Sequence, residues 1–230
     1  MSSPDSVNTV WGRRCKLEDQ LVGKNVTEIE TLAQRVLALP QGAGRNLIAI
    51  AGAPASGKST LATDLTKAVQ KAGRKAQVIP MDGFHLDNAI LQGRGLLSRK
   101  GAPETFDAEG FIGLMRRVKA GGEVVYPTFD RARDLSVAGA AVIDGDCDVA
   151  VVEGNYLLFD EAPWRSLAGL WDISIWYDMP EAVLLERCVQ RWLEHDHTPE
   201  QAHARAQGND MANARRIIGT RLPVDVNFTG

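Results

Sequence analysis

The sequence lacks a strong charge of either sign and lacks any long apolar run. Its 230 residues carry a formal net charge of −3, with a pI near 5.8. This balance gives no general attraction to nucleic acid or to an anionic membrane. No run approaches the roughly 18 apolar residues of a membrane-spanning helix, and the first residues lack the apolar stretch of a signal peptide. We therefore expect neither a nucleic-acid nor a membrane partner.

Cysteines are also few. The three cysteines, Cys15, Cys147 and Cys188, are scattered and lack metal-ligand spacing, which favours a reducing compartment and a cytoplasmic protein. Hydrophobic residues make up 44% of the chain, enough for one large core. We expect residues 1–24 to form an N-terminal arm and residues 25–230 a single domain; the sequence leaves homo-oligomer formation open.

Short apolar runs alternate with helical patterns along the chain. The runs predict strands at residues 46–51, 76–80, 149–152, 172–177 and 223–228. Near-continuous apolar strands separated by helices predict a mostly parallel sheet covered on both faces. Residues 87–106 are polar and rich in glycine, which predicts a loop around a site.

A phosphate-binding motif follows the first of these strands. The run GAPASGKST fits the pattern G-x-x-x-x-G-K-[ST], in which glycines let successive backbone N–H groups face one anion. Lys58 can reach the β- and γ-phosphates, and the Ser59 hydroxyl can ligate Mg²⁺. The predicted nucleotide-binding residues are Gly52, Ala53, Pro54, Ala55, Ser56, Gly57, Lys58, Ser59 and Thr60.

The context of the motif separates it from a chance match. A strand precedes it and a helical pattern, KSTLATDLTKAVQKAG, follows it, so a helix N-terminus adds to the anion site. This arrangement predicts a three-layer α/β/α phosphate-loop NTPase fold. The guanine-binding element N-K-x-D is absent from the sequence, which favours ATP as the nucleotide.

Two acids follow predicted strands. Asp82 comes directly after the strand at 76–80, and Glu153 after the strand at 149–152. Because active groups of open α/β sheets lie beyond the carboxyl ends of the strands, both acids are expected near the phosphate loop. There a carboxylate can accept a hydroxyl proton or help Ser59 to hold Mg²⁺. The alternative is a pair of solvated turn acids.

Further motifs carry a resemblance to a known family. The chain contains MDGFH, GAPETFD, YPTFDR and VVEGNYLL, spread between about Asn46 and the C-terminus. With the phosphate loop, these resemble the uridine kinase, phosphoribulokinase and bacterial pantothenate kinase group. Within that group the chain is similar to bacterial proteins called fructose transport system kinases.

The resemblance implies roles for these motifs. Asp82 matches the general base that takes the acceptor's hydroxyl proton, and Glu153 matches the acid that helps hold Mg²⁺. Ala102 stands where uridine kinases carry a histidine, which weakens uridine as the acceptor. The residues expected to contact the acceptor are Phe84, His85, Phe106, Asp107, Tyr126, Arg131, Asn155 and Tyr156.

Arginines of a lid complete the expected site. Arg187 and Arg191 lie one turn apart on the helix predicted after Pro180, so they share one face. The resemblance implies a lid, at about residues 190–210, whose arginines meet the phosphates; Arg205 is a weaker candidate. An exposed basic stripe is the alternative interpretation.

These features favour an ATP-dependent kinase that acts on a hydroxyl of a small metabolite. The acceptor candidates are a sugar such as fructose, a uridine-like nucleoside and a pantothenate-type alcohol. The rival from another class is an ATPase or nucleotide-gated regulator, which has no need of Asp82 beside an acceptor segment. A nucleic-acid motor is disfavoured by the acidic charge and the short chain.

Overall fold

A computed structural model describes residues 27–42 and 44–230; the predicted arm at 1–24 lies outside the described residues. The helices are α1 (27–37), α2 (Lys58–Lys71), α3 (Asn88–Gly93), α4 (Ala108–Ala120), α5 (Glu181–Leu193), α6 (Pro199–Arg205) and α7 (Met211–Gly219). The strands are β1 (Asn46–Gly52), β2 (Ala76–Pro80), β3 (Val124–Asp130), β4 (Leu135–Ile143), β5 (Val149–Gly154), β6 (Ile173–Asp178) and β7 (Val226–Thr229). Within this part of the chain, no helix has the length and apolarity needed to cross a bilayer.

The predicted parallel sheet is confirmed. Its strand order is β2-β5-β1-β6-β7, and every neighbouring pair is parallel. The carboxyl ends of β2, β5 and β1 therefore meet at one edge. The predicted closing strand at 223–228 begins later than expected, at Val226. Its preceding residue, Asp225, instead accepts hydrogen bonds from the backbone N–H and the hydroxyl of Ser174.

Strand β1 shows why the sheet is buried on both faces. Leu47, Ala49 and Ala51 point into one core, which includes α4 residues, while Ile48 and Ile50 point into a second core with α1 and α2 residues. Alternate side chains of a strand face opposite sides, so an apolar run without polar interruptions is required here. The central sheet thus lies between two apolar layers.

Strands β3 and β4 form a hairpin that the sequence pattern did not predict. They pair antiparallel as a separate two-stranded sheet, and the register shifts between Tyr126 and Thr128. Much of β4 is exposed, so its sequence, LSVAGAAVI, lacks a clear apolar alternation. The hairpin lies beside the turn that follows β2 and supplies one wall of the site.

The segment 87–106 is only partly the predicted loop. It contains helix α3, whose first N–H groups are capped by Asp87: the carboxylate accepts from Ala89 N at 2.8 Å. This local cap lets a polar, glycine-containing sequence form a short helix. The expectation of an irregular segment over this whole range was therefore wrong.

Candidate active site

The phosphate loop lies between β1 and α2, as the motif predicts. Ala55 and Gly57 both have positive φ, at 61° and 106°, and these left-handed residues curl the backbone so that N–H groups face one point. Gly57 suits this conformation because it has no Cβ. Helix α2 begins at Lys58 and directs its N-terminus at the same point, which completes a site for an anion such as a phosphate.

Ser59 and Glu153 meet beside this loop. The Ser59 hydroxyl donates to Glu153 Oε2 at 3.0 Å, and Glu153 is buried at the end of β5. Burial raises the pKa of the Glu153 carboxyl, while nearby Lys58 opposes the rise. Burial also lowers the pKa of Lys58, against the pull of Glu153 and Asp82. A partly buried cation thus lies among acids whose charges it compensates.

The Ser59 and Glu153 oxygens are hard donors, the kind that Mg²⁺ prefers. Across residues 27–42 and 44–230, no group of three or more His, Cys, Asp and Glu side chains could hold a metal ion. This fits Mg²⁺ bound with a nucleotide, because that ion takes one or two carboxylates and completes its shell with water and phosphate oxygens. The residues present fit such a role.

Asp82 lies in a short 3₁₀ turn, Met81–Phe84, that directly follows β2. In the β2–β5 pairing, Pro80 lies opposite Glu153, so both acids are at the same edge of the sheet. Arg131, from the end of the hairpin, donates to Asp82 Oδ2 at 2.8 Å. The close approach of hairpin and turn requires Gly83, where a Cβ would overlap the carbonyl oxygen of Pro127.

His85 is held in place on three sides. Its Nδ1 lies 2.8 Å from the carbonyl oxygen of Asp82, and its ring packs between Phe106 and Phe129, with centroids at 4.0 and 4.6 Å. Burial lowers the pKa of the imidazole, which favours the neutral ring near neutral pH. His85 is therefore a fixed part of the wall next to Asp82.

These elements surround a cavity of about 420 Å³. The phosphate loop contributes Pro54, and the strand edge contributes Asp82 and Asn155. The Asn155 Oδ1 atom is buried and has no hydrogen-bond partner among residues 27–42 and 44–230, which leaves it available as an acceptor. Other lining residues come from the turn, the hairpin and the region after Gln190: His85, Lys100, Phe129, Arg131, Asp134, Arg191, Trp192, His195, Arg205, Asp210 and Asn213.

The charges in this cavity are largely paired with one another. Besides the Arg131–Asp82 contact, Lys100 Nζ lies 2.9 Å from Asp134 Oδ1, and Arg191 lies 3.0 Å from Asp210. The walls also carry the aromatic faces of Phe129 and Trp192. Such a lining suits a small polar molecule with several hydrogen-bonding groups.

The two lid arginines have different positions. Arg187 Nη1 donates to the carbonyl oxygen of Ser56 at 2.9 Å, so it contacts the phosphate loop from outside the cavity. Arg191 lines the cavity. Arg205, the weaker candidate, also lines it and stacks over Trp192, 4.4 Å from the ring centroid.

Some residues expected to contact the acceptor do not line the cavity. Tyr126 is buried, and its hydroxyl is 3.0 Å from Gln77 Nε2. The Tyr156 hydroxyl donates to the carbonyl oxygen of Gly101 at 2.5 Å. Both tyrosines thus support the walls of the cavity without lining it, and their predicted contact with the acceptor stays a prediction.

Phe84, Phe106 and Asp107 are also absent from the cavity lining. Phe84 packs edge-on against Phe111 of α4, with centroids 5.2 Å apart, and Phe106 is buried behind His85. Asp107 caps α4, its carboxylate accepting from Gly110 N at 3.0 Å. An Asp before an apolar helical pattern signals a helix cap, and this signal could have identified Asp107 from sequence.

Sequence reasoning missed several lining residues. Trp192 has a helical pattern around it typical of packing residues, His195 lies in a polar stretch typical of a surface, and Asp134 and Asp210 belong to no motif. None of these positions carries a local signal, because their places in the cavity depend on contacts between distant segments.

Comparison with known proteins agrees with this geometry. The sequence model of the Phosphoribulokinase / Uridine kinase family matches residues 47–201. A candidate uridine kinase from Schizosaccharomyces pombe is 33% identical over 220 residues, covering 90% of this chain and 92% of that protein. A pantothenate kinase from Parvibaculum lavamentivorans is 30% identical over 203 residues, covering 83% of this chain and 61% of that protein.

A solved structure resembles the chain along most of its length. It is the crystal structure of a candidate fructose transport system kinase from Silicibacter sp. TM1040, with a TM-score of 0.85 and 54% sequence identity. The match covers 87% of this chain and 98% of that chain.

Proposed function

The chain is a kinase that belongs to the Phosphoribulokinase / Uridine kinase family, and we propose that it transfers the γ-phosphate of ATP to a hydroxyl of a small sugar or similar polyol in the cytoplasm. One observation carries this proposal. Asp82 and the Ser59–Glu153 pair lie at the carboxyl ends of neighbouring strands, next to the phosphate loop, and Asp82 faces a polar cavity of about 420 Å³.

Kinases of this family use ATP, and the phosphate loop supplies its binding site. Backbone N–H groups of the loop and the N-terminus of α2 would hold the phosphates. Lys58 would contact the β- and γ-phosphates, where its charge stabilises the negative charge of the transition state. Arg191, on the opposite wall of the cavity, would meet the transferring phosphate.

Ser59 and Glu153 are the residues we assign to Mg²⁺, with Asp82 as a further candidate ligand. Held there, Mg²⁺ would supply positive charge that offsets the negative charge of the phosphates. The Glu153 carboxylate must be ionised for this role, and Lys58 nearby favours that form. The Ser59 hydroxyl oxygen would bind the ion through a lone pair.

Asp82 is the general base in this mechanism. Its carboxylate accepts the proton of the acceptor hydroxyl as that oxygen attacks the γ-phosphorus and the bond to the ADP oxygen breaks. Arg131 holds one Asp82 oxygen at 2.8 Å, which leaves the other oxygen for the hydroxyl. The acceptor supplies the hydroxyl that Asp82 deprotonates, so ADP release should depend on the acceptor.

The cavity lining favours a neutral acceptor rich in hydroxyl groups. Three of its cations, Lys100, Arg131 and Arg191, already have acidic partners. Within the described part of the chain Asn155 Oδ1 lacks a donor, and the aromatic rings in the lining can pack against the C–H surface of a sugar. The name of the Silicibacter relative points to the same class. Ala102 is buried and absent from the cavity lining, which gives a uridine-like nucleoside no contact at this position.

The test is ADP release from MgATP by the full chain, measured with each of a panel of sugars, polyols, nucleosides and pantothenate. We expect one or more sugars or polyols to stimulate release and to be recovered as phosphate esters. Stimulation only by a nucleoside or by pantothenate would overturn the acceptor class. ADP release that no acceptor changes would identify an ATPase or nucleotide-gated regulator instead.

A further inference from the structure

A short segment after α6 connects the two sides of the cavity. Residues Ala206–Asp210 form a π-helical turn that leads directly into α7. This segment and the first turn of α7 carry buried polar side chains, with Asp210 only 6% exposed and Asn213 only 2%. Buried polar groups are costly unless they are hydrogen-bonded, and π-turns are frequent at functional sites. The buried polar side chains and the π-turn together point to a functional role for this part of the chain.

Asp210 fixes two consecutive side chains of α5. Its Oδ2 atom accepts from the Trp192 indole N–H at 2.7 Å and lies 3.0 Å from Arg191 Nη2. The Trp192 ring in turn supports the Arg205 guanidinium. One carboxylate oxygen thus orients Arg191 directly and Arg205 through the indole.

The same segment is tied to the acceptor side of the cavity. Asn209 Nδ2 donates to the carbonyl oxygen of Lys100 at 2.8 Å, and Arg99 Nη2 donates to Asn213 Oδ1 at 3.3 Å. These contacts anchor the Asp210 backbone to the loop that holds Lys100. The contacts with the loop that holds Lys100 therefore fix the position of Asp210. The Asp210 carboxylate in turn fixes the orientation of the Arg191 side chain.

We propose that Asp210 is a positioning residue, which holds Arg191 in the orientation that meets the transferring phosphate. The proposal rests on the kinase function proposed above. An arginine has five N–H donors, so the contact through one Nη2 leaves the others free for phosphate oxygens. Fixing the side chain in advance removes the loss of rotamer freedom that would otherwise accompany phosphate contact.

The test measures the affinity of the full chain for two ligands. The first is MgATP, and the second is MgADP together with fluoroaluminate, which mimics the transferring phosphoryl group. A contact made in the transition state affects the second ligand more than the first. In Asp210→Asn we expect the preference for the fluoroaluminate complex to fall about tenfold, the order expected when a charge-assisted hydrogen bond is lost, with a much smaller change for MgATP. Arg191→Gln should show at least this loss because it removes the contact itself, and the double variant should lose no more than Arg191→Gln alone.

Asp225→Asn is the matched control, since this carboxylate also accepts two hydrogen bonds but lies at the amino end of β6, away from the phosphate loop. Asp225→Asn should keep the wild-type preference for the fluoroaluminate complex over MgATP. If Asp210→Asn does not fold, Trp192→Phe carries the test, with a loss of at least about threefold expected from the one hydrogen bond to the carboxylate.

Equal weakening of both ligands, or additive losses in the double variant, would overturn the positioning role and leave the kinase function intact. A wild-type chain that binds MgATP, shows no preference for the fluoroaluminate complex and releases no ADP with any acceptor would overturn the proposed function, and the positioning role with it.

Discussion

The two halves of the site are built in different ways. The nucleotide half consists of one continuous stretch, Gly52–Thr60, and one acid at the end of the neighbouring strand, Glu153. The acceptor half is assembled from separate segments, including the turn at Met81–Phe84, the β3–β4 hairpin and the π-turn at Ala206–Asp210. The first half depends on backbone conformation, and the second on side-chain contacts between distant parts of the chain.

This difference explains which half tolerates change. A backbone cradle needs a few residue types at fixed spacing, so its motif is the same whatever the acceptor. A wall made of side chains can be altered one residue at a time without disturbing the phosphate loop. The nucleotide half thus defines the reaction, and the acceptor half defines the substrate.

The largest expected effect lies in the nucleotide half. Lys58→Ala should lower acceptor-dependent ADP release by about 10³-fold or more, because the cation that faces the developing phosphate charge is lost. Steady-state rates and thermal unfolding of the purified variant check this. Lys67→Ala, on the exposed face of the same helix, is the control and should retain wild-type turnover; near-normal turnover of a folded Lys58→Ala would remove the phosphate-loop assignment.

A substitution in the acceptor half should act through packing. Gly83→Ala places a methyl group against the carbonyl oxygen of Pro127, so the hairpin must move away from the turn that bears Asp82. We expect a loss of about 1–3 kcal/mol of unfolding free energy, as for other overpacked sites, and lower turnover. Gly93→Ala has nothing within 4 Å of the new methyl and should leave turnover unchanged; equal losses in both variants would contradict this account of the hairpin.

A smaller effect is expected at Arg131. Its side chain is 65% exposed, so Arg131→Gln should change stability by less than about 1 kcal/mol. Turnover should fall about tenfold because Asp82 loses the partner that orients it, while MgATP affinity stays the same. The control is Arg133→Gln, whose arginine is also exposed but pairs with Asp130. A loss of MgATP affinity in Arg131→Gln would place Arg131 in the nucleotide half instead.

The smallest expected effect is the contribution of Glu153 to the pH dependence of folding stability. Because burial raises the pKa of this carboxyl in the folded protein, the folded state binds its proton more tightly than the unfolded state. Stability should therefore decrease as pH rises from the ordinary glutamate pKa through the raised one, by at most about 1.4 kcal/mol per pH unit. Denaturant unfolding of the protein without nucleotide or metal should show this slope, and Glu153→Gln should flatten it. An unchanged slope in the variant would exclude Glu153 as its source.

The same comparison shows how far sequence alone leads. The strands of the parallel sheet, the phosphate loop and the two acids are encoded by local patterns, and their relative placement follows from parallel pairing. The residues of the acceptor half are not marked by any such local pattern. Asp107 lies in a recognisable motif yet caps a helix, whereas Asp210 lies in none and contacts Arg191. Their environments depend on how the hairpin and the π-turn pack. No hydrophobic period or motif spacing in the sequence specifies this packing.

The central claim is that Asp82 acts chiefly as the general base on the acceptor hydroxyl, and Asp82→Asn tests it most directly. The amide keeps the shape of the side chain but removes its basicity. With an acceptor identified by the screen, transfer should fall by roughly two to four orders of magnitude, the range for loss of a general base, while MgATP binding measured on the same folded variant persists. Unchanged transfer would place the base elsewhere, and complete loss of MgATP binding would assign Asp82 to the nucleotide half.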